Sequence, residues 1–211
     1  MTENLIRRVL LLGSDDEATP ELEASLRDAG YEVRRCVEPG AQAFPCVGLQ
    51  DGGTCPLDDG LIDVALDVRS HPWPRPTQRE AGVQCAVRRR VPVAVAGRTL
   101  FHPFERWAEV TIDGTGDAVD ACNRAIERSL YRLRDAVIEA VEAVLRTKGS
   151  VLPSIDVDVA RRAGRLEIAI TADVPKELRT VVVARAGSAA RGVDPAAQAI
   201  EIDLRSAGVP A

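Results

Sequence analysis

Two groups of side chains in this sequence are of types and spacings that could do chemistry. The first is a set of thiols: Cys36, Cys46 and Cys55, with Cys85 further along. Pro45-Cys46 and Cys55-Pro56 frame the segment Val-Gly-Leu-Gln-Asp-Gly-Gly-Thr almost symmetrically, so two thiols close a glycine-rich loop. Cys85 and His71 are candidate further ligands once the chain folds. Thiolates with an imidazole suit Zn²⁺ or an iron–sulfur cluster. No Cys-x-x-Cys occurs, and spacings of eight to ten residues are longer than the usual metal-binding pair. Three readings therefore stand: a metal site, a redox-active disulfide in an otherwise reducing compartment, and separate reduced thiols packed as small apolar groups. The last is the plainest. The fifth cysteine, Cys122, falls on an apolar helix stripe and is expected in the core.

The second group is carboxylates with a histidine. Leu61 to Arg69 is an apolar run broken by Asp67, and it reads as a buried strand ending in that carboxylate. Asp15 and Asp16 follow the first apolar run, and His102 lies in Phe101-His-Pro-Phe104. Strand carboxyl ends of doubly wound sheets form the usual ligand crevice, which makes Asp15, Asp16, Asp67 and His102 candidate lining groups. Alternatively Asp67 caps nearby helix amides, and His102 with Trp73 and Trp107 plugs the sheet edge. With two histidines in the chain, no Ser-His-Asp or Cys-His arrangement is supported. Neither a Gly-x-Gly-x-x-Gly nor a P-loop sequence is present. Arg88-Arg-Arg90 is expected to be a solvated helix end.

The elements that must position these groups alternate. Arg8–Gly13, Tyr31–Cys36, Ile62–Val68, Val91–Ala96 and Ala108–Ile112 are expected strands. Thr19-Pro20-Glu21 opens a helix that Gly30 ends, and a short helix is expected near Gln78–Val87. Residues 37–60 hold five glycines, three prolines and two cysteines, which implies an irregular loop. Short apolar strands alternating with helices imply an α/β fold with a parallel five-stranded sheet covered on both faces. A long helix then runs from Asp117 to about Thr147, with Val119, Cys122, Ile126, Leu130, Leu133, Val137, Val141 and Val144 at alternating intervals of three and four. That stripe either packs inside the chain or forms a homodimer seam, and the first is the simpler. Beyond Lys148-Gly-Ser150 the order is strand, strand, helix, strand. The resulting division is residues 1–116, a connecting helix 117–147, and a small α+β domain 148–211.

Composition sets further bounds. Hydrophobic residues make up 45% and charged residues 28%, so the chain is a globular one. A net charge of −5 argues against a nucleic-acid binder. No apolar run approaches the length of a membrane span, and the N-terminal residues lack the pattern of a signal peptide. A cytoplasmic location is expected.

The run Arg8-Val-Leu-Leu-Leu…Leu22…Leu26-Arg-Asp-Ala-Gly30-Tyr-Glu-Val33, with Val64-Ala-Leu-Asp67 and Arg90-Val-Pro-Val-Ala-Val-Ala-Gly97, resembles response-regulator receiver domains, a flavodoxin-like fold. The resemblance covers about residues 8–130. It implies that Asp67 stands where the phosphoryl acceptor would be. Receiver chemistry also needs an acidic pair for Mg²⁺, a hydroxyl after the fourth strand and a Lys after the fifth. Gly13 and Ser14 occupy the acidic-pair positions, with Asp15 one place late; Gly97 stands at the hydroxyl position, near Thr99. The only lysines, Lys148 and Lys176, lie beyond the domain. A slip of one or two residues would bring Asp15 and Asp16 into the acidic-pair place, which leaves metal binding open; with no Lys in the domain, the resemblance implies a degenerate receiver that does not catalyse phosphoryl transfer.

From about residue 126 to 205, the αββαβ order with Ile155-Asp-Val-Asp-Val159, Leu166-Glu-Ile-Ala-Ile170 and Ile200-Glu-Ile-Asp-Leu204 resembles BON-type domains, which implies a non-catalytic binding module. Its acids Asp156, Asp158, Glu167, Glu201 and Asp203 are expected to face outward and to oppose anionic surfaces. The expectation for the whole chain is a non-enzymatic regulatory or scaffold protein that binds a protein partner. A cysteine-based redox or metal sensor holding Zn²⁺ or an iron–sulfur cluster is the alternative. Ligand binding or catalysis near Asp67 is the third.

Overall fold

Short apolar segments, each too brief to be a buried helix, become the strands of a single sheet in the first half of the chain. The computed structural model describes residues 6–13, 19–38, 40–69, 75–97, 102–147, 154–162 and 164–206. Asp15, Asp16, His71, Trp73 and Thr99, all named above as candidates or neighbours, lie outside the described residues. The chain divides into two units, Met1–Arg128 and Ser129–Ala211.

In the first unit β1 (Arg7–Gly13), β2 (Tyr31–Arg35), β3 (Val64–Arg69), β4 (Val93–Gly97) and β5 (Val110–Ile112) form a sheet in the order β2-β1-β3-β4-β5. Every neighbouring pair is parallel. The helices that fall between strands are α1 (Thr19–Asp28) and α2 (Ala81–Arg88), and α3 (Ala118–Arg146) follows β5. This order reverses direction between β1 and β3, the place where such sheets open a crevice at their carboxyl ends. One face carries Leu10, Leu12, Ala65, Val93 and Val95, which pack with Val83 and Ala86 of α2. The opposite face carries Val9, Leu11, Val64, Leu66, Val68, Ala94 and Ala96, all buried. Burial on both faces is why β3 reads as a nearly continuous apolar run.

Strand limits shift slightly from expectation, for local reasons. Pro92 accepts a bond from Ala65 N–H but has no N–H to return, so β4 begins at Val93. The strand β3 continues through Val68 to Arg69, so Asp67 lies inside it rather than at its end.

The second unit holds β6 (Asp156–Arg162), β7 (Arg165–Thr171), β8 (Ala199–Arg205) and α4 (Arg179–Val193). β6 and β7 are antiparallel, whereas β7 and β8 are parallel and joined through α4. Val157, Leu166, Ile168 and Ile170 of one sheet face pack with Leu133, Val137 and Val141 of α3 and with Val182, Ala186 and Ala190 of α4. Val181 is 45% exposed, whereas Val182 beside it is fully buried in this core; a single-turn 3₁₀ segment at Lys176–Leu178 precedes α4. The other sheet face departs from the acidic expectation. Arg162 pairs with Glu167 at 2.9 Å, Arg165 with Glu201 at 3.0 Å and Arg205 with Asp203 at 2.7 Å, so the face carries mixed charge.

On α3, Cys122, Ile126, Leu133, Val137, Val141 and Val144 of the apolar stripe are buried, while Val119 and Leu130 are half-buried. Most of the stripe is thus taken up by the protein's own cores. Among the described residues no helix is long and apolar enough to cross a membrane.

Candidate functional site

Asp67 sits between Leu12 of β1 and Val95 of β4 in the sheet register, on the face covered by α2. A carboxylate placed among such neighbours has little to solvate it. It is 0% exposed, and its nearest polar neighbour is His102, whose Nε2 stands 3.3 Å from Oδ2 with the imidazole equally buried. The contact falls short of good hydrogen-bond geometry, and neither carboxylate oxygen has a full hydrogen bond among the described residues. Burial accordingly pushes Asp67 up from its ordinary 3.8 to about 6; His102 works against the rise, Glu80 adds to it, and Arg69 also works against it.

Two residues along β3, on the same face, Arg69 is 1% exposed and forks onto Glu80. Its Nε donates to one carboxylate oxygen, and its Nη2 donates to the other at 3.0 Å. The same Nη2 donates to the Arg75 carbonyl at 3.0 Å. Glu80 also accepts the Thr77 backbone N–H, in the reach-back of a Thr-x-x-Glu cap just ahead of α2. So a buried ion pair ties the end of β3 to the start of α2, and both partners are satisfied by further polar groups, the condition for such a pair to be tolerated.

The oxygens and nitrogen of Asp67, Glu80 and His102 lie within 4.8 Å of one another, close enough to consider a metal ion. The surroundings do not fit one. Arg69 already supplies the positive charge that Glu80 needs. His102 Nδ1 accepts the Phe104 N–H at 3.2 Å, which places the ring proton on Nε2, the nitrogen that would have to ligate. The group is better described as a buried, mutually compensating set of two acids, an arginine and a histidine.

Receiver-type chemistry meets a second obstacle at Gly97, the expected hydroxyl position. Gly97 has φ 134°, and a Cβ there would stand 1.9 Å from the Arg69 carbonyl oxygen, its partner in the β3–β4 register. No residue with a side chain fits, so no hydroxyl can be presented from this position.

His102 therefore belongs with Asp67, as a buried plug. Phe104 beside it is buried too, its ring centroid 6.0 Å from the imidazole. Trp107 is instead 41% exposed, under the Arg106 guanidinium at 3.8 Å.

The candidate cysteines gather beyond the other edge of α2. Cys36, which follows β2, is buried; Cys46 and Cys55 are half-buried and pack against the same apolar cluster; Cys85 is exposed. None is in a disulfide. Burial pushes the Cys36 thiol up to about 12, and Cys55, Cys46 and Cys85 each add to the rise. Cys122, buried in α3, is pushed up to about 12 by burial alone, as expected of a core thiol.

Sequence reasoning missed Arg69 and Glu80. A charged residue in a strand or before a helix reads as surface, and only the Thr77-x-x-Glu80 spacing carried a signal. No family model matches the chain, and no match is found among curated proteins or solved structures.

Proposed function

We propose that this is a non-enzymatic regulatory or scaffold protein whose first unit is a degenerate receiver-like, flavodoxin-like domain and whose second is a BON-like binding module. The carrying observation is the complete burial of Asp67 against His102, beside the Arg69–Glu80 pair. A phosphoryl acceptor must meet its donor and its metal in solvent, and this carboxylate is sealed from solvent. The strand order is the one such domains use, while the hydroxyl position is closed and no lysine occurs before Lys148. The same burial weighs against catalysis or small-ligand binding at Asp67.

What such a protein retains is surface. The function follows from contacts with a protein partner, and most of the apolar stripe of α3 is taken up inside the chain, which leaves only part of it for self-association. Incubating the full chain with acetyl phosphate and Mg²⁺, followed by intact mass measurement, tests the reading. An unchanged mass is expected; a hydroxylamine-labile acyl-phosphate adduct at Asp67 contradicts it.

A further inference from the structure

Four of the five cysteines of the first unit, Cys36, Cys46, Cys55 and Cys85, come from separate pieces of chain, and the fold draws them toward one place. The Cys36 carbonyl accepts the Val47 N–H at 2.8 Å, which lays Cys46-Val47 alongside Cys36. Gly48, two residues on, is held against Cys55: a Cβ on Gly48 would stand 2.8 Å from Cys55 Cβ, so only glycine lets the two arms of the loop close. Gly82 of α2 packs on the Cys36 sulfur, where a Cβ would be 3.1 Å from Sγ. Cys85 lies three residues further along the same helix, on the same side. Each closure thus brings another thiol toward Cys36.

Electrostatics agree with the geometry. Cys55 is pushed up by burial, with Asp58, Cys85 and Cys46 each adding to the rise, whereas the Leu57 backbone N–H donates to its sulfur and lowers it. Mutual repulsion of thiolates is what a bound cation removes. A backbone N–H aimed at a cysteine sulfur stabilises a thiolate rather than a thiol. Cys46 and Cys55 are half-buried and Cys85 is exposed, so three of the four thiols reach solvent.

We propose that Cys36, Cys46, Cys55 and Cys85 form a four-thiolate site for a thiophilic metal centre, an iron–sulfur cluster in first place. The spacing decides between occupants. Tetrahedral Zn²⁺ with Zn–S of about 2.3 Å holds its sulfurs about 3.8 Å apart. No three of these thiols lie mutually within 4.8 Å. A cluster, in which separate irons each take a cysteine, spans a wider set. This inference is independent of the receiver-like reading of the sheet.

The test is iron, acid-labile sulfide and zinc content of the full chain purified without oxygen, before and after reconstitution with iron and sulfide, with visible absorption alongside. About one cluster per chain is expected, lost in Cys85→Ser and Cys55→Ser and kept in Cys122→Ser. Cys85 is exposed, so its replacement leaves the core intact; circular dichroism checks this. Stoichiometric zinc in place of iron supports the four-thiolate site and rejects the cluster. Even if the variants unfold, the wild-type metal content decides. A chain that stays metal-free after reconstitution with iron and sulfide and with zinc, with all five thiols titrating in denaturant, overturns the site. So does a Cys46–Cys55 disulfide under the same anaerobic conditions.

Discussion

Asp67 is a carboxylate held where its charge is least welcome, and its protonation is linked to folding. Its folded value, about 6, lies above its ordinary 3.8. The native state therefore binds the proton more tightly than the unfolded chain. The stabilisation this gives is fully present below about pH 3.8 and is lost as the pH rises through about 6. Above that, the buried charge costs about 1–3 kcal/mol, given its incomplete hydrogen bonding. Asp67→Asn keeps the shape and removes the charge. It is expected to raise urea-unfolding stability at pH 7 by about 1–3 kcal/mol, to give no gain near pH 4, and to flatten the slope between. A loss of stability at pH 7 would mean that the contact of ionised Asp67 with His102 is a net contributor.

At the scale of elements, the strands were legible because burial on both faces leaves uninterrupted apolar runs, and α3 because its stripe repeats at helical intervals. The inward set on α4 was less legible: Val181 and Val182 are adjacent β-branched residues, and pattern alone does not say which one faces outward. The Arg69–Glu80 pair was hidden because it joins residues eleven apart through the β3-to-α2 crossover, a contact that exists only once the sheet forms. The cysteines were legible as candidates but not as neighbours, since Gly48 and Gly82 set their approach. Leu133 tests the role given to α3. It is 2% exposed in the core of the second unit, so Leu133→Ala is expected to cost about 2–5 kcal/mol in chemical unfolding. A negligible cost would mean that the stripe is not committed to this core.

For the whole molecule, the account is of two units, each with its own core, in which the strand residue that looks most like a reacting group is used for structure. The outer face of the three-stranded sheet follows the same logic, because Glu167, Glu201 and Asp203 are matched by arginines rather than left to repel. One measurement surveys every carboxylate at once: a ¹³C NMR titration of the aspartate side chains, with Asp67→Asn supplying the assignment. The account predicts that Asp67 titrates near pH 6, apart from the exposed aspartates, and that its signal is insensitive to added Mg²⁺. Titration together with the surface aspartates, or a shift on adding Mg²⁺, would show a solvated, accessible carboxylate and contradict the sealed site.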